Sequence, residues 1–274
     1  MINECPLCSS IAVGPYINVN SFQYFKCQLC GCVFLLNRGD SQVEGHLGRA
    51  YKLARLLVES KNGAHNEWLA DLMKKFMPKG RVLEVGCGAG FFLRKLAENG
   101  YDGLGIDLGE ENPIFAKYFL GLTIYNVDFL QFVQTPDMDW IVMNQLLEHV
   151  TDPRAFIQKA FTLLKPGGHI LVTTPNLLFA KTLISWCTKL RLKPLLGDAF
   201  SHPPNHCVLF EPGTMKQLWV SQGFQVLQAG HNPTGWMGEN RIRRFVDRVI
   251  LSTLPTRTIG PNFYMIGRKP EHPL

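Results

Sequence analysis

The sequence lacks two features that would place the protein in or across a membrane. It contains no unbroken apolar stretch of the roughly 20 residues that a membrane-spanning helix requires. Its first residues include neither the basic nor the apolar segment of a secretory signal. We therefore expect a cytoplasmic protein. In that reducing environment, the eight cysteines should be free or bound to metal rather than paired in disulfides.

Charged residues are also few, and they do not favour a nucleic-acid partner. They make up 18% of the chain and leave a formal net charge of +6. A basic excess of this size is typical of a solvated surface, although it permits contact with an anionic partner. The sequence contains no internal repeat and no low-complexity tract. A chain of 274 residues, 46% of them hydrophobic, can form one large domain and a small appendage.

Five of the eight cysteines fall before residue 40, and four of them form two C-x-x-C pairs. The pairs are separated by eighteen residues, and Gly31 follows the second pair. Each C-x-x-C turn brings two thiolates to one side of a tetrahedral zinc site, so this spacing predicts a zinc ribbon over residues 1–40. Four cysteine ligands leave no open coordination position, so the zinc should be structural. The predicted ligands are Cys5, Cys8, Cys27 and Cys30, and Cys32 should pack beside them.

Residues 41–274 alternate between strand and helix patterns. Short β-type runs occur at 81–85, 103–106, 122–127, 140–143, 169–174, 224–227 and 263–267. Helical patterns lie between several of them. One helix is well marked, because Asp152 can cap it and Pro153 fits its first turn. This alternation predicts the α/β class, with a Rossmann-like, doubly wound and mostly parallel sheet covered by helices on both faces.

A glycine-rich segment follows the first of these strands. Its glycines are Gly86, Gly88 and Gly90, which allow the backbone to approach a ligand closely and leave the N-terminus of the next helix open. A dinucleotide-binding loop would require a third glycine at position 91, where this chain has Phe91. The loop therefore does not favour an oxidoreductase that uses a nicotinamide cofactor.

Polar residues stand where three later strands end. Asp107 ends the second strand, Asp128 and Phe129 follow the third, and Asn144 follows the fourth. Open α/β sheets bind ligands at the carboxyl ends of their strands. Asp107 could accept both hydrogen bonds from ribose hydroxyls, and Asp128 could bind an adenine amine while Phe129 lies beside the ring. The set predicts one ligand site along this edge.

Four segments resemble the successive motifs of class I S-adenosylmethionine (SAM)-dependent methyltransferases: 84–90, 105–107, 147–150 and 164–168. The resemblance extends from about residue 49 to the end of the chain. It implies that SAM is the cofactor and that Glu84, Gly86 and Gly88 contact its methionine part. It further implies that Asp107 binds the ribose, that Asp128 and Phe129 lie at the adenine, and that Asn144 lines the site below the sulfonium.

Within this class, the chain most resembles the branch of the ubiquinone-biosynthesis O-methyltransferases, which also includes small enzymes of natural-product and surface-polysaccharide pathways. Those O-methyltransferases carry a Glu three residues before a Glu-His pair, where it can help to hold a divalent ion. Here Gln145 precedes Glu148 and His149 at that spacing. An amide is a weaker ligand for hard cations, so a catalytic magnesium ion is not predicted.

Two histidines are candidates for the general base that methylation of a hydroxyl group requires. His149 is the first choice, because it lies just beyond the fourth strand, near the expected methyl group. His206 lies in a loop between the fifth and sixth strands that would shape the acceptor pocket. We expect methyl transfer to a small molecule, at a hydroxyl oxygen, in a natural-product or surface-polysaccharide pathway. The helical stretch 177–193 should form a lid, or could rest on a membrane surface.

Two other functions remain open from the sequence. Some rRNA methyltransferases also pair an N-terminal zinc ribbon with this domain, although their knuckles are expected to mix Cys and His, and the Glu148-His149 pair is atypical of them. A non-catalytic zinc-ribbon interaction protein could retain a methyltransferase scaffold, although the intact cofactor positions argue against it.

Overall fold

The computed structural model describes residues 4–19, 22–36, 56, 59–60, 62–135, 137–182, 206–231 and 260–272. Residues 177–182, where the predicted lid begins, are helical. The remainder of that segment and residues 201–205 of the loop before His206 lie outside the described residues. Among the described residues, no helix is long and apolar enough to cross a bilayer.

A small antiparallel sheet contains the predicted ribbon. Its four described strands are β1 (Val13–Val19), β2 (Phe22–Cys27), β3 (Val33–Leu35) and β9 (Val208–Leu209), in the order β1-β2-β3-β9. The first three follow one another along the chain, whereas β9 comes from far beyond residue 40. The ribbon sheet is therefore completed by a segment of the larger part of the chain.

The larger sheet contains seven described strands. They are β4 (Arg81–Val85), β5 (Asp102–Asp107), β6 (Ile124–Asn126), β7 (Met138–Asn144), β8 (Leu164–Pro175), β10 (Gln225–His231) and β11 (Asn262–Arg268). Their order is β10-β11-β8-β7-β4-β5-β6. The run from β8 to β6 is parallel, and β11 is antiparallel to both of its neighbours. This arrangement confirms the predicted Rossmann-like, mostly parallel α/β fold.

Helices precede the first strand of the larger sheet and connect several of the later ones. They are α1 (Gly63–Lys74), α2 (Phe91–Glu98), α3 (Asn112–Phe115), a π-helical turn (Ala116–Leu120), α4 (Pro153–Leu163) and α5 (Pro212–Ser221). The predicted cap of α4 is confirmed, because the Asp152 carboxylate accepts a hydrogen bond of 2.9 Å from the Ala155 amide. Local sequence thus sets where this helix begins.

The fifth strand of the sequence, expected at 169–174 after a turn, begins earlier, at Leu164. Leu164 is already extended, with φ −74° and ψ 140°. It pairs with Met138, and the next ladder pair joins His169 to Trp140. The intervening Lys-Pro-Gly-Gly segment therefore forms a bulge within the strand, where Gly167 adopts φ +80°.

The two sheets share one hydrophobic core. Ribbon residues Cys5, Cys27 and Phe34 are buried in the same cluster as Met143 and Leu147, which flank the carboxyl end of β7. The ribbon is consequently packed directly against the edge of the larger sheet where ligands bind in folds of this type.

Candidate active site

The glycine loop turns sharply between β4 and α2. Gly86, Gly88 and Gly90 have φ values of +68°, +53° and +89°, a region that side chains other than glycine rarely occupy. A Cβ atom at Gly86 would lie 2.8 Å from Leu146 Cδ1. The loop therefore requires glycine both for its backbone shape and for the close approach of its neighbours.

Two amide groups of this loop point at carboxylates. The Gly88 amide donates a hydrogen bond of 2.8 Å to Asp107 Oδ2, and the Ala89 amide donates one of 3.2 Å to Glu59 Oε2. Amides at a helix N-terminus favour anionic groups. Glu59 was not among the residues predicted from the sequence, because nothing local distinguishes it from other acidic residues on a helix. It is a new candidate residue of the cofactor site.

Asp107 lies at the end of β5, as predicted, but its carboxylate accepts more hydrogen bonds from the protein than expected. Oδ1 accepts hydrogen bonds from the Gly109 amide at 2.7 Å and the Asn112 side chain at 2.8 Å, and Oδ2 accepts that of Gly88. A carboxylate offers about four acceptor positions, so one remains on Oδ2. A ribose could therefore donate one hydrogen bond here without displacing a protein group.

Glu84 is a deeply buried acid at the end of β4, with 3% of its surface exposed. Its Oε2 has no hydrogen-bond partner among the described residues. Burial raises the pKa of Glu84 well above its usual value, and the nearby charges of Glu59 and Asp107 raise it further. Three acids thus converge on the glycine loop, which suits a ligand that carries positive charge, as the ammonium and sulfonium groups of SAM do.

The burial of Glu84 predicts a pH-dependent stability. A folded-state pKa above the unfolded value of about 4.3 means that the group stabilises the fold while protonated, and that this contribution is lost as the pH rises through the folded pKa. Each unit by which the folded-state pKa exceeds the unfolded value lowers the free energy of unfolding by about 1.4 kcal/mol at high pH. In SAM-free protein, Glu84→Gln should therefore melt at a higher temperature than the parent at about pH 9, with a smaller difference at about pH 5.

A matched control for this prediction is Glu98→Gln on the surface of α2. The ion pair with Lys95 lowers the pKa of Glu98, so its neutralisation should not stabilise the protein at alkaline pH. Melting curves recorded over this pH range by circular dichroism would test the assignment. Parallel profiles for the parent and Glu84→Gln would contradict it.

Asn144 lies at the end of β7 within a hydrogen-bonded group. Its Oδ1 accepts a hydrogen bond of 2.5 Å from Thr173 and lies 3.2 Å from Nε2 of His65 in α1. The next residue, Gln145, has φ +55° and donates from its side-chain amide to the Thr173 hydroxyl at 3.1 Å. His65 is a second site candidate that the sequence did not indicate, since only the fold brings α1 to this strand end.

Asp128 and Phe129 follow β6 at the same edge of the sheet. Asp128 accepts a hydrogen bond of 2.7 Å from the Leu130 amide, which shapes the turn. Phe129 is buried and packs against Phe156, with ring centroids 5.2 Å apart. Most of the Phe129 ring is therefore used in the core, and its role beside an adenine stays a prediction.

The two candidate base residues lie together, although they are far apart in sequence. The rings of His149 and His206 meet edge to face, with centroids 4.9 Å apart. His206 is buried, whereas the His149 side chain is 37% exposed. Glu148 completes the group, because its Oε1 lies 4.0 Å from His149 Nε2 and its Oε2 accepts a hydrogen bond of 2.9 Å from Thr174.

This acid and these two imidazoles could accept a proton or bind a divalent cation. One ligand atom from each lies within 4.8 Å of the others. Burial raises the pKa of Glu148, and the electrostatic interaction with His149 opposes that effect. The cluster therefore combines an exposed imidazole with a buried carboxyl group directly behind it, which is an arrangement suited to acid–base chemistry.

The four predicted zinc ligands also lie together. The sulfur atoms all lie within 4.8 Å of one another; they belong to Cys5, Cys8, Cys27 and Cys30. Two of the pairs, Cys5–Cys30 and Cys8–Cys27, have sulfur–sulfur distances of 3.5 and 3.6 Å. A tetrahedral site with Zn–S bonds of about 2.3 Å requires sulfur atoms about 3.8 Å apart, so the geometry fits zinc.

The electrostatics of this cysteine cluster are those of crowded thiols. The hydrogen bond between Cys5 and Cys30 lowers the pKa of Cys5 and raises the pKa of Cys30, because a thiol that donates to a neighbouring sulfur stabilises that sulfur as a thiolate. Cys32 is fully buried beside them and does not belong to the set of four. This matches the expected packing role of Cys32.

Comparison with known proteins assigns the larger part of the chain to a family. Residues 57–229, more than half of the chain, match the family model described as a methyltransferase domain. The chain therefore belongs to the SAM-dependent methyltransferase family. The ubiquinone biosynthesis O-methyltransferase of Acinetobacter baumannii is 34% identical over an alignment of 106 residues, and the match covers 35% of this chain and 44% of that protein. The match thus spans less than half of the relative's length.

Solved structures agree in fold. A methyltransferase from Haloferax volcanii, solved with the Trm112 methyltransferase activator, aligns with a TM-score of 0.59 at 15% identity, over 81% of this chain and 96% of that one. A SAM-dependent methyltransferase from Archaeoglobus fulgidus aligns with a TM-score of 0.52 at 18% identity, over 78% and 99% of the two chains. At these identities, the likeness establishes the fold alone.

Proposed function

We propose that this protein transfers the methyl group of SAM to a hydroxyl oxygen of a small-molecule acceptor in a natural-product or surface-polysaccharide pathway. The observation that carries this proposal is the His149–His206–Glu148 cluster, in which the turn just after β7 meets the segment just before β9. Oxygen acceptors need a base, and this cluster supplies one. The similarity to an O-methyltransferase of ubiquinone biosynthesis supports the same choice.

In this proposal, residues at different strand ends bind different parts of the cofactor. Glu84, Gly86 and Gly88 hold the methionine part, where the acidic surroundings of the loop complement an ammonium group. Asp107 accepts a hydrogen bond from the ribose, and Asp128 and Phe129 lie at the adenine. Asn144 lines the floor beneath the sulfonium, fixed in orientation by the hydrogen bond from Thr173.

When bound, SAM supplies a methyl group that is already activated by a sulfonium centre, so the protein mainly aligns the acceptor and removes its proton. His149 accepts that proton, because its ring is accessible while His206 is buried. The Glu148 carboxylate, 4.0 Å away, stabilises the imidazolium that results. We favour this acid–base role over a metal site because Gln145 is a neutral amide bonded to Thr173.

The N-terminal residues 1–40 are proposed to form a zinc ribbon on the methyltransferase domain of residues 41–274. The sulfur geometry supports one ion held by Cys5, Cys8, Cys27 and Cys30. Since all four positions are thiolates, this ion stabilises structure and leaves no coordination site for a substrate.

The cofactor assignment predicts the effect of Asp107→Asn. A hydrogen bond to a charged group contributes about 1.5–3 kcal/mol, so the variant should bind SAM about tenfold or more weakly by calorimetry. The control is Asp102→Asn, because Asp102 lies on the same strand at its opposite end and is paired with Arg81 at the surface. Equal affinities for parent, Asp107→Asn and Asp102→Asn would refute the ribose assignment.

The reaction itself is tested with methyl-labelled SAM and a panel of catechols, other phenols and sugar hydroxyl compounds. The proposal expects label in a methyl ether of one of these acceptors, identified by mass spectrometry. Label found only on nitrogen or carbon acceptors added in parallel would contradict oxygen as the target. Label found only in added RNA would support the rRNA alternative.

A further inference from the structure

The ribbon sheet extends into the segment that carries His206. Strand β3 pairs with β9 through Val33–Leu209 and Phe34–Val208, and the Leu35 amide donates a hydrogen bond of 2.9 Å to the Cys207 carbonyl. The residue directly after His206 is therefore already part of the ribbon's hydrogen-bonded ladder. The backbone on the C-terminal side of His206 is therefore held by the ribbon sheet.

A single buried side chain strengthens this connection. The hydroxyl group of Tyr24 in β2 donates a hydrogen bond of 2.8 Å to the carbonyl oxygen of His206. Tyr24 is fully buried, and burial raises the pKa of its phenol well above the ordinary value, so the hydroxyl keeps its proton. This bond joins a ribbon residue to the peptide group of a candidate catalytic histidine.

The other side of the same segment contacts the turn after β7. The Val208 amide donates a hydrogen bond of 3.1 Å to the Glu148 carbonyl, and the His206 ring packs edge to face on His149. His206 is thus held between the ribbon and the Glu148-His149 turn. A shift of the ribbon would move His206 relative to His149.

The cysteine knuckles are linked to this arrangement by packing and by a hydrogen bond. Cys5 and Cys27 belong to the core cluster that also contains Leu147 and Cys207. Arg154, in the first turn of α4, donates a hydrogen bond of 2.8 Å to the hydroxyl of Ser9, just after the first knuckle. The knuckles therefore pack against residues next to both segments that carry the histidine cluster.

We propose that the N-terminal ribbon is a positioning element of the active site, in which Tyr24 and the β3–β9 pairing set the place of His206 against His149. This inference rests on the proposed function, in which that cluster handles the proton of the acceptor. The glycine loop and Asp107 lie at other strands of the sheet. The Tyr24 contact therefore acts on the acceptor side, and we expect its loss to leave SAM binding unchanged.

The first test needs no acceptor and compares Tyr24→Phe with Tyr101→Phe. Both tyrosines are buried, and both donate a hydrogen bond of 2.8 Å to a backbone carbonyl, that of His206 or that of Met77. In protein labelled with ¹³C in its histidine rings, Tyr24→Phe should shift the His206 and His149 signals, and Tyr101→Phe should leave them in place. Unchanged signals in Tyr24→Phe would overturn the proposal. Zinc content and SAM affinity show that each variant is folded.

The second test is a double-mutant cycle with the acceptor that the panel identifies. Leaving a buried carbonyl without its donor should lower kcat about tenfold in Tyr24→Phe, with the Kd for SAM within about twofold of the parent. In a His206→Gln background, Tyr24→Phe should cause no further loss, because both changes act through one residue. Losses that multiply would overturn the proposal. If no acceptor reacts, the proposed function fails, while the histidine signals still decide whether Tyr24 positions His206.

Discussion

Replacing Cys30 with serine should remove the zinc ion and unfold the N-terminal sheet. A hydroxyl group is a poor substitute for a thiolate ligand, and a structural zinc site contributes about 10–16 kcal/mol of folding free energy in small zinc-binding peptides. That value is comparable with the whole stability of a typical domain, about 5–15 kcal/mol. We expect the parent to contain one zinc ion per chain by metal analysis, and Cys30→Ser to contain almost none and to melt at a much lower temperature.

Cys32→Ser is the matched control, because Cys32 is buried in the same ribbon but does not belong to the set of four sulfurs. It should keep its zinc and lose only the packing contribution of one sulfur. Full zinc occupancy in Cys30→Ser, or no zinc in parent protein prepared without chelator, would contradict the assignment of a zinc ribbon.

Replacing His149 with alanine should have the largest effect on catalysis. A positioned general base contributes about 10²–10⁴ in rate, so His149→Ala should lose at least about a hundredfold in kcat while its affinity for SAM changes little. His149→Gln retains some hydrogen bonding and should be equally slow. His206→Ala should have a smaller effect, since His206 is buried behind His149. The control is His272→Ala, an exposed residue near the C-terminus.

The turnover rates of these variants distinguish His149 as the base, His206 as the base, and catalysis without a histidine base. A large loss in His206→Ala with near-parental turnover in His149→Ala would reverse the two roles. Parental turnover in both variants would contradict a histidine base, and catalysis would then consist of alignment alone. Activity that requires an added divalent cation in protein whose ribbon zinc content is unchanged would favour metal binding by the cluster over the acid–base role.

Local signals in the sequence predicted most of the strands and several helices. Arg81–Val85 was predicted with its observed bounds, and the cap at Asp152 forms as expected, because both depend on nearest neighbours. The bulge before His169 was missed, since a Lys-Pro-Gly-Gly segment ends a helix whether or not it also pairs with a strand. The two-residue strand β9 has no pattern of its own, and its partner lies more than 170 residues earlier.

The candidate site likewise contains residues that the sequence predicted and residues that only the fold identifies. Strand-end residues such as Asp107 and Asn144 were predictable because parallel strands bring their carboxyl ends to one edge. Glu59, His65 and Tyr24 were not, since each reaches the site from an element distant in sequence. The sequence indicated His149 and His206 separately, whereas their contact and the buried Glu148 behind them emerge only from the fold.

The central claim is that the acid-rich glycine loop and the strand ends beside it bind SAM. Its most direct test is a calorimetric titration of the full chain, first with SAM and then with NAD in place of SAM. We predict saturable binding of one SAM per chain and no binding of NAD, because Phe91 occupies the position of the third glycine in a dinucleotide loop. No saturable binding of SAM by folded, zinc-loaded protein, or binding of NAD instead, would contradict it.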